Sequence, residues 1–200
     1  MRRLLVVLLG LWLAGGIMLG GLLLVQHLIA LPAPDVASVQ LRGQMQRAFH
    51  GRWRHDGQWH VMHVMYRACP CSRRTLAHLK DGKRPPDLDE LVLIVDDDGR
   101  SEDADLELVK HGYRVQVITP ETLHRDYDLQ AAPVLVIARP GGELAYVGGY
   151  TRHKQSNAYE DLAILSALRR QDDRTALPVF GCPTSEQLSR QLDPLGLRRR

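Results

Sequence analysis

Cysteine is scarce in this 200-residue sequence, at three residues, too few to staple a small secreted domain by disulfides. Aromatic residues are also few, at 6% with only two phenylalanines, and no stripe of Arg and Lys interleaves with them. Nucleic acid is therefore set aside as a partner. The net charge of +3 comes from 26 basic against 23 acidic residues. Arg2, Arg3, Arg198, Arg199 and Arg200 supply five of those 26, so the interior is 21 against 23 and has no basic excess. The three C-terminal arginines read as a solvated tail. Gly-x-Gly-x-x-Gly, the P-loop, His-Glu-x-x-His and Gly-x-Ser-x-Gly are all missing, which removes the signatures of dinucleotide binding, nucleotide hydrolysis, zinc proteolysis and serine hydrolysis. Asp96-Asp97-Asp98-Gly99 fails as a calcium loop because Arg100 falls among the alternating ligand positions; it reads as a polar strand exit. What remains is a globular balance, 44% hydrophobic and 24% charged, enough for one domain with length to spare.

Charge is absent from Leu4 through Val25, 22 positions counted inclusively. At about 1.5 Å per helical residue such a run crosses a hydrocarbon core of about 30 Å. Arg2 and Arg3 precede it and the next charge is Asp35, so the positive-inside rule places the N-terminus in the cytoplasm and the remainder across the membrane. A cleaved signal peptide is the rival, but the run exceeds a usual h-region, Ala30 and Ala33 make poor cleavage sites, and there is no lipobox cysteine. Gly16 and Gly20 form a Gly-x-x-x-Gly, a possible seam for a weak anchor-mediated dimer.

The exported part reads as α/β. Residues 1–31 form the anchor, 32–57 a linker and N-terminal helix, 58–169 the main domain, and 170–200 a tail. Asp35 is expected to cap a helix from Val36 to Phe49, and Asp56-Gly57 to turn the chain. Gln58–Tyr66 has strand periodicity, with Val61, His63 and Met65 on one face and Met62, Val64 and Tyr66 on the other. Pro70–Leu79 follows as a helix, Leu91–Val95 as a buried strand, and Ser101 to His111 as a second helix. Strands Tyr113–Thr119, Pro133–Ala138 and Leu144–Val147 come next, the last two joined by Pro140-Gly141-Gly142, and Asn157–Arg169 closes the domain as a helix. The order, a helix, then β-α-β-α-β, then β-β-α, requires a mixed sheet flanked by helices.

Cys69-Pro70-Cys71 lies between a strand and its helix. A sulfur there faces unpaired N–H groups and the positive end of the helix dipole, which favour the reactive thiolate, and Arg67 adds positive potential. Two thiols at i and i+2 can pair only through a small strained ring, and strain makes a disulfide more oxidising.

These features resemble the thioredoxin superfamily: the strand His60–Tyr66, Cys69-Pro70-Cys71 at the helix start, Ala132-Pro133-Val134-Leu135-Val136-Ile137, the Gly-rich hairpin, and Tyr146-Val147-Gly148-Gly149-Tyr150. The style is that of membrane-anchored, periplasm-facing thioredoxin-like proteins of Gram-negative bacteria. The resemblance implies a thioredoxin-like fold, a cis Pro133 packed against the cysteines, and a backbone beside Ala132 and Pro133 that holds a partner's extended segment. It implies catalysis by Cys69 and Cys71 on exported protein thiols or disulfides, without a cofactor. The usual motif has two residues between its cysteines and this one has only Pro70, so two alignments are open: one makes Cys71 the buried resolving cysteine and puts Ala68 at the attacking position, the other makes Cys69 the nucleophile and shortens the loop. With Cys69 so aligned, His63 falls where the family keeps a buried acid, as a proton shuttle or simply as a hydrogen-bonded core histidine.

Cys182, in Val179-Phe180-Gly181-Cys182-Pro183, can resolve a mixed disulfide from the motif, lock the tail, or stay free. Thr184 and Gln187 are expected to box the start of a final short helix. His50, His55, His60 and His63 with Met62 and Met65 raise a rival: thiolate, thioether and imidazole suit Cu(I), with Cys69, Cys71 and His63 as ligands of a copper chaperone. A non-catalytic thioredoxin-like binding module is the third reading.

Overall fold

The computed structural model of the chain describes residues 2–28, 30–49, 57–172 and 175–193. His50, His55, the expected turn at Asp56 and the Arg198–Arg200 tail lie outside the described residues. Contacts divide the chain between Ala30 and Leu31. The first unit is the helix α1 (Arg2–Leu28), whose stretch Arg3–Gly21 has a mean hydropathy of 2.2 with its side chains unburied; it is long and apolar enough to cross a membrane.

The second unit is built on a five-stranded sheet. Strands β1 (Trp59–Tyr66), β2 (Leu88–Val95) and β3 (Arg114–Ile118) run parallel. They are linked by helices α3 (Pro70–Asp81) and α4 (Asp103–Lys110), the crossovers that parallel pairing requires. After helix α5 (Pro120–Tyr127) and the two-residue strand β4 (Ala131–Ala132), β5 (Val134–Ala138) pairs antiparallel with β1 and β6 (Leu144–Gly148) antiparallel with β5. The order is β3-β2-β1-β5-β6. Helix α6 (Asp161–Arg169), strand β7 (Cys182–Pro183) and helix α7 (Glu186–Leu192) complete it. This is the expected thioredoxin-like arrangement, a mixed sheet flanked by helices.

The period-2 reading of β1 holds on both faces. Met62 and Val64 join Leu91, Leu93, Val134 and Val136 under helix α2 (Val39–Ala48) and α5. Val61 and Met65 join Val92, Ile94, Leu135 and Ile137 under α3, α4 and α6. Leu41, Met45 and Phe49, all fully buried, give α2 its hold on the first face. Val179 and Leu188 from the tail enter the same cluster, so the tail is part of the core rather than an appendage.

Several helix starts differ from expectation, two of them because a neighbouring side chain takes the cap. Ser38, not Asp35, caps α2, its hydroxyl accepting from Leu41 N at 3.2 Å, while Asp35 closes a separate turn through Ala37 N. Ser185, not Thr184, caps α7 by accepting from Leu188 N. Helix α6 begins at Asp161 rather than Asn157. Helix α5 falls where no element was expected; Thr119 caps it and Pro120 opens it, but only Leu123 and Tyr127 of its eight residues are buried.

Candidate active site

Strand β1 ends at Tyr66 and the chain turns at once. Cys69 N donates to Tyr66 O at 2.9 Å, and Cys69 becomes the N-cap of α3 with Pro70 in its first turn. Ser72, buried in that turn, accepts from Tyr66 N and fixes helix to strand. Cys69 is thereby driven inward, to 0% exposure, while Cys71 one step along is partly exposed.

The Ala132–Pro133 peptide is cis. It delivers the Ala132 carbonyl to the cysteines, where the Cys69 thiol donates to it at 3.6 Å. The other edge of Ala131–Ala132 is taken by the chain's own tail. Strand β7 pairs antiparallel with β4, Ala132 opposite Cys182 and Ala131 opposite Pro183, and Thr184 N donates to Gln130 O at 2.7 Å. Two glycines permit this. A Cβ on Gly181 would collide with the Ala132 carbonyl and the Pro133 ring, and one on Gly149 with the Pro178 carbonyl.

Cys182 thus joins Cys69 and Cys71, and all three are free thiols. Each of the three sulfurs feels the charge of another. The hydrogen bond from Cys69 pulls the Cys182 thiol below its ordinary value, with Lys154 and Arg73 adding to the effect. That same pairing, with burial, pushes Cys69 up, although the Cys71 contact and the Ser72 amide pull the other way. The hydrogen bond with Cys69 and burial likewise raise Cys71, against the pull of Arg74. The expected low value of Cys69 at the helix start is therefore corrected. The amide donor is present, but the neighbouring Cys182 and burial outweigh it, and the Cys69 thiol is raised rather than lowered. Tyr66 is pushed up to about 12 by burial and by its hydrogen bond to Asp97.

Other expected site residues are placed elsewhere. Arg67 is held by Asp96, Asp105 and Glu102 at 2.9–3.1 Å, so it ties the end of β1 to α4; the arginine at the thiols is Arg74, 3.9 Å from the Cys71 sulfur. His63 is fully buried, with Nδ1 2.9 Å from the Tyr150 hydroxyl and Nε2 3.0 Å from Glu90. Glu90 is clamped by Arg84, which also binds Asp161, and Asp161 holds His78. Both ring nitrogens of His63 are engaged, so the Cu(I) set Cys69, Cys71 and His63 does not fit. His60 points to the opposite face, edge-on to Phe49. Among the described residues no group of three or more His, Cys, Asp or Glu side chains is arranged to hold a metal ion. Arg74, Gly181 and the Gln130–Ala131 edge were not singled out from sequence; the Gly-Cys-Pro of the tail was their nearest signal.

No protein-family model and no curated protein matches the chain. Solved structures do. A hypothetical protein, SMc02350, from Sinorhizobium meliloti 1021 is similar at 14% identity over 79% of this chain and 91% of its own, with a TM-score of 0.50. An uncharacterized conserved protein from Geobacillus kaustophilus is 18% identical over 64% of this chain and 77% of its own, with a TM-score of 0.49. The pneumococcal exposed lipoprotein thioredoxin Etrx1 from Streptococcus pneumoniae is 18% identical over 58% of this chain and 87% of its own, with a TM-score of 0.39. At these identities the likeness is one of fold. Its sheet order, its cis proline and a Cys-Pro-Cys at the start of α3 make the fold thioredoxin-like.

Proposed function

We propose that the protein is a membrane-tethered thiol–disulfide oxidoreductase whose globular unit faces the periplasm and acts on exported protein thiols or disulfides. The observation that carries this reading is the meeting of three thiols, Cys69, Cys71 and Cys182, at the cis proline. A buried thiol with two sulfur neighbours can close a disulfide with either as electrons leave, and open it again by exchange. Cys182 serves as the third member of the redox centre, Ala132 and Pro133 hold the centre's shape, and α1 supplies the tether.

The test is disulfide mapping by mass spectrometry on the full chain in detergent, across glutathione buffers of graded potential. A Cys69–Cys182 or Cys69–Cys71 bond that forms and reverses within the range supports the reading. Cysteines that stay locked, oxidised or reduced, at every potential overturn it.

A further inference from the structure

With the tail seated, the strand edge beside Pro133 is already filled by Cys182 and Pro183. An incoming partner must therefore reach a sulfur by another route, and the three sulfurs differ in the space before them. Cys69 is fully buried. Cys71 and Cys182 are both partly exposed, but Cys71 borders a cleft of only about 20 Å³ beside Pro133 and Tyr150. Cys182 lies on the wall of a cavity of about 550 Å³ between β7, α7 and the start of α5.

That cavity has a consistent chemistry. Its charged lining residues are Asp97, Glu121, Glu186 and Asp193, with no Lys, Arg or His among them. Asp97 accepts from the Tyr66 hydroxyl and Glu186 pairs with the exposed Arg190, and neither carboxylate is removed from the lining by this. Arg73 and Lys154, whose charges reach Cys182, do not line the cavity. Beside Cys182 on the same wall, Thr184 is 8% exposed and its hydroxyl has no hydrogen-bond partner. A buried hydroxyl left unpaired costs about 1–3 kcal/mol, and a docked peptide backbone relieves that cost. Tyr66, Pro120 and Leu192 give the apolar contact that a side chain next to a partner cysteine needs.

We propose that this cavity is the docking site for the protein's exchange partner, a cysteine-containing segment with basic side chains beside the cysteine, and that Cys182 is the sulfur the partner meets first. The inference rests on the oxidoreductase reading and reverses the roles expected from the motif. The Cys182 thiolate attacks a partner disulfide, forming a Cys182–partner bond and releasing the partner's other sulfur as a thiolate that takes up a proton. Cys69 then loses its proton and attacks the Cys182 sulfur. A Cys69–Cys182 disulfide forms and the second partner thiol leaves, so the two electrons of the protein dithiol end on the partner. The opposite flow is the same sequence reversed. Strand β7 sets Cys182 opposite Ala132, whose carbonyl the Cys69 thiol contacts, and this places Cys182 for the second step, while its lowered thiol value suits it to the first.

The experiment mixes the reduced full-length chain in detergent with short synthetic peptide disulfides whose cysteines are flanked by lysines or by glutamates, and with oxidised glutathione. At low ionic strength the lysine peptide is reduced about tenfold faster than the glutamate peptide, and the ratio falls towards unity with salt and in Asp97→Asn/Glu121→Gln. Cys69→Ser accumulates a mixed disulfide mapped to Cys182; Thr184→Val slows reduction of the lysine peptide. Equal peptide rates, faster reaction of glutathione than of either peptide, or a mixed disulfide mapped to Cys71 overturns the inference while leaving the oxidoreductase standing. Failure of every disulfide to react, together with no reversible bond among the three cysteines, overturns the underlying reading instead.

Discussion

Gly181 is the residue on which the three-thiol centre turns. The position its Cβ would take is occupied by the Ala132 carbonyl and the Pro133 ring, groups that cannot swing aside as a flexible side-chain end would. In Gly181→Ala the tail must back away from β4, losing the Ala132–Cys182 pairing and the 2.7 Å bond from Thr184 N to Gln130 O. At about 1 kcal/mol net per hydrogen bond, losing the two costs about 2 kcal/mol, or about thirtyfold in the equilibrium between seated and displaced tail. Cys182 moves with the strand, so the effective concentration of one sulfur at the other falls by the same factor. The readout is the glutathione ratio at which half the chain carries a Cys69–Cys182 bond, determined by alkylation and mass spectrometry. Val179 and Leu188 tie the tail to the core, so the global unfolding midpoint should fall as well, and the tail becomes more sensitive to limited proteolysis. A Gly181→Ala chain whose Cys69–Cys182 equilibrium stays within threefold of the parent would refute the reasoning, because the close approach would then not be what seats the tail.

The buried ion network gives further predictions. Asp161 is 3% exposed and is held well below the usual carboxylate range: burial opposes its charge, and His78 and Arg84 outweigh it. A folded value below the unfolded one means stability present above the unfolded carboxylate range, near pH 4, and lost as pH falls below it; Glu90, lowered by His63 and Arg84 against its own burial, adds in the same direction. Asp161→Asn should cost about 3 kcal/mol at neutral pH in urea unfolding and flatten the acid limb. His63→Gln should lower stability by about 1–3 kcal/mol, leave the pH profile of thiol alkylation unmoved, and leave Cu(I) uptake in a chelator competition unchanged. A shifted profile would make the histidine a proton carrier, and lost uptake would make it a ligand. Cys71→Ser should still form the Cys69–Cys182 bond; loss of that bond would place Cys71 in the exchange itself.

The parts of this architecture that show in the sequence are those where one local pattern has a single physical outcome. Alternation along Val61–Tyr66 sorts side chains to the two faces observed, because a half-turn per residue leaves no other arrangement. Pro70 after Cys69 marks the start of a helix because only there does a missing N–H cost nothing. Cap choice is less legible: Asp35 and Ser38, or Thr184 and Ser185, are equivalent in type, and the winner depends on which position brings Leu41 or Leu188 into the core. Helix α5 carries its cap signal at Thr119-Pro120 but too few apolar positions to register as periodic. The thiol values were out of reach for a different reason. A helix-start argument treats Cys69 alone, whereas its charge is set by a sulfur 113 positions later in the chain, seated through a glycine–carbonyl contact that has no periodicity at all. Gly149 and Gly181 do stand in the sequence, in Val-Gly-Gly-Tyr and Phe-Gly-Cys-Pro, as residues without a side chain in otherwise apolar runs. Each is a place where another strand of backbone comes too near for a Cβ. Read together, they trace the path of the tail across the sheet end to the cis proline, and so the third thiol follows from two missing side chains rather than from any side chain present.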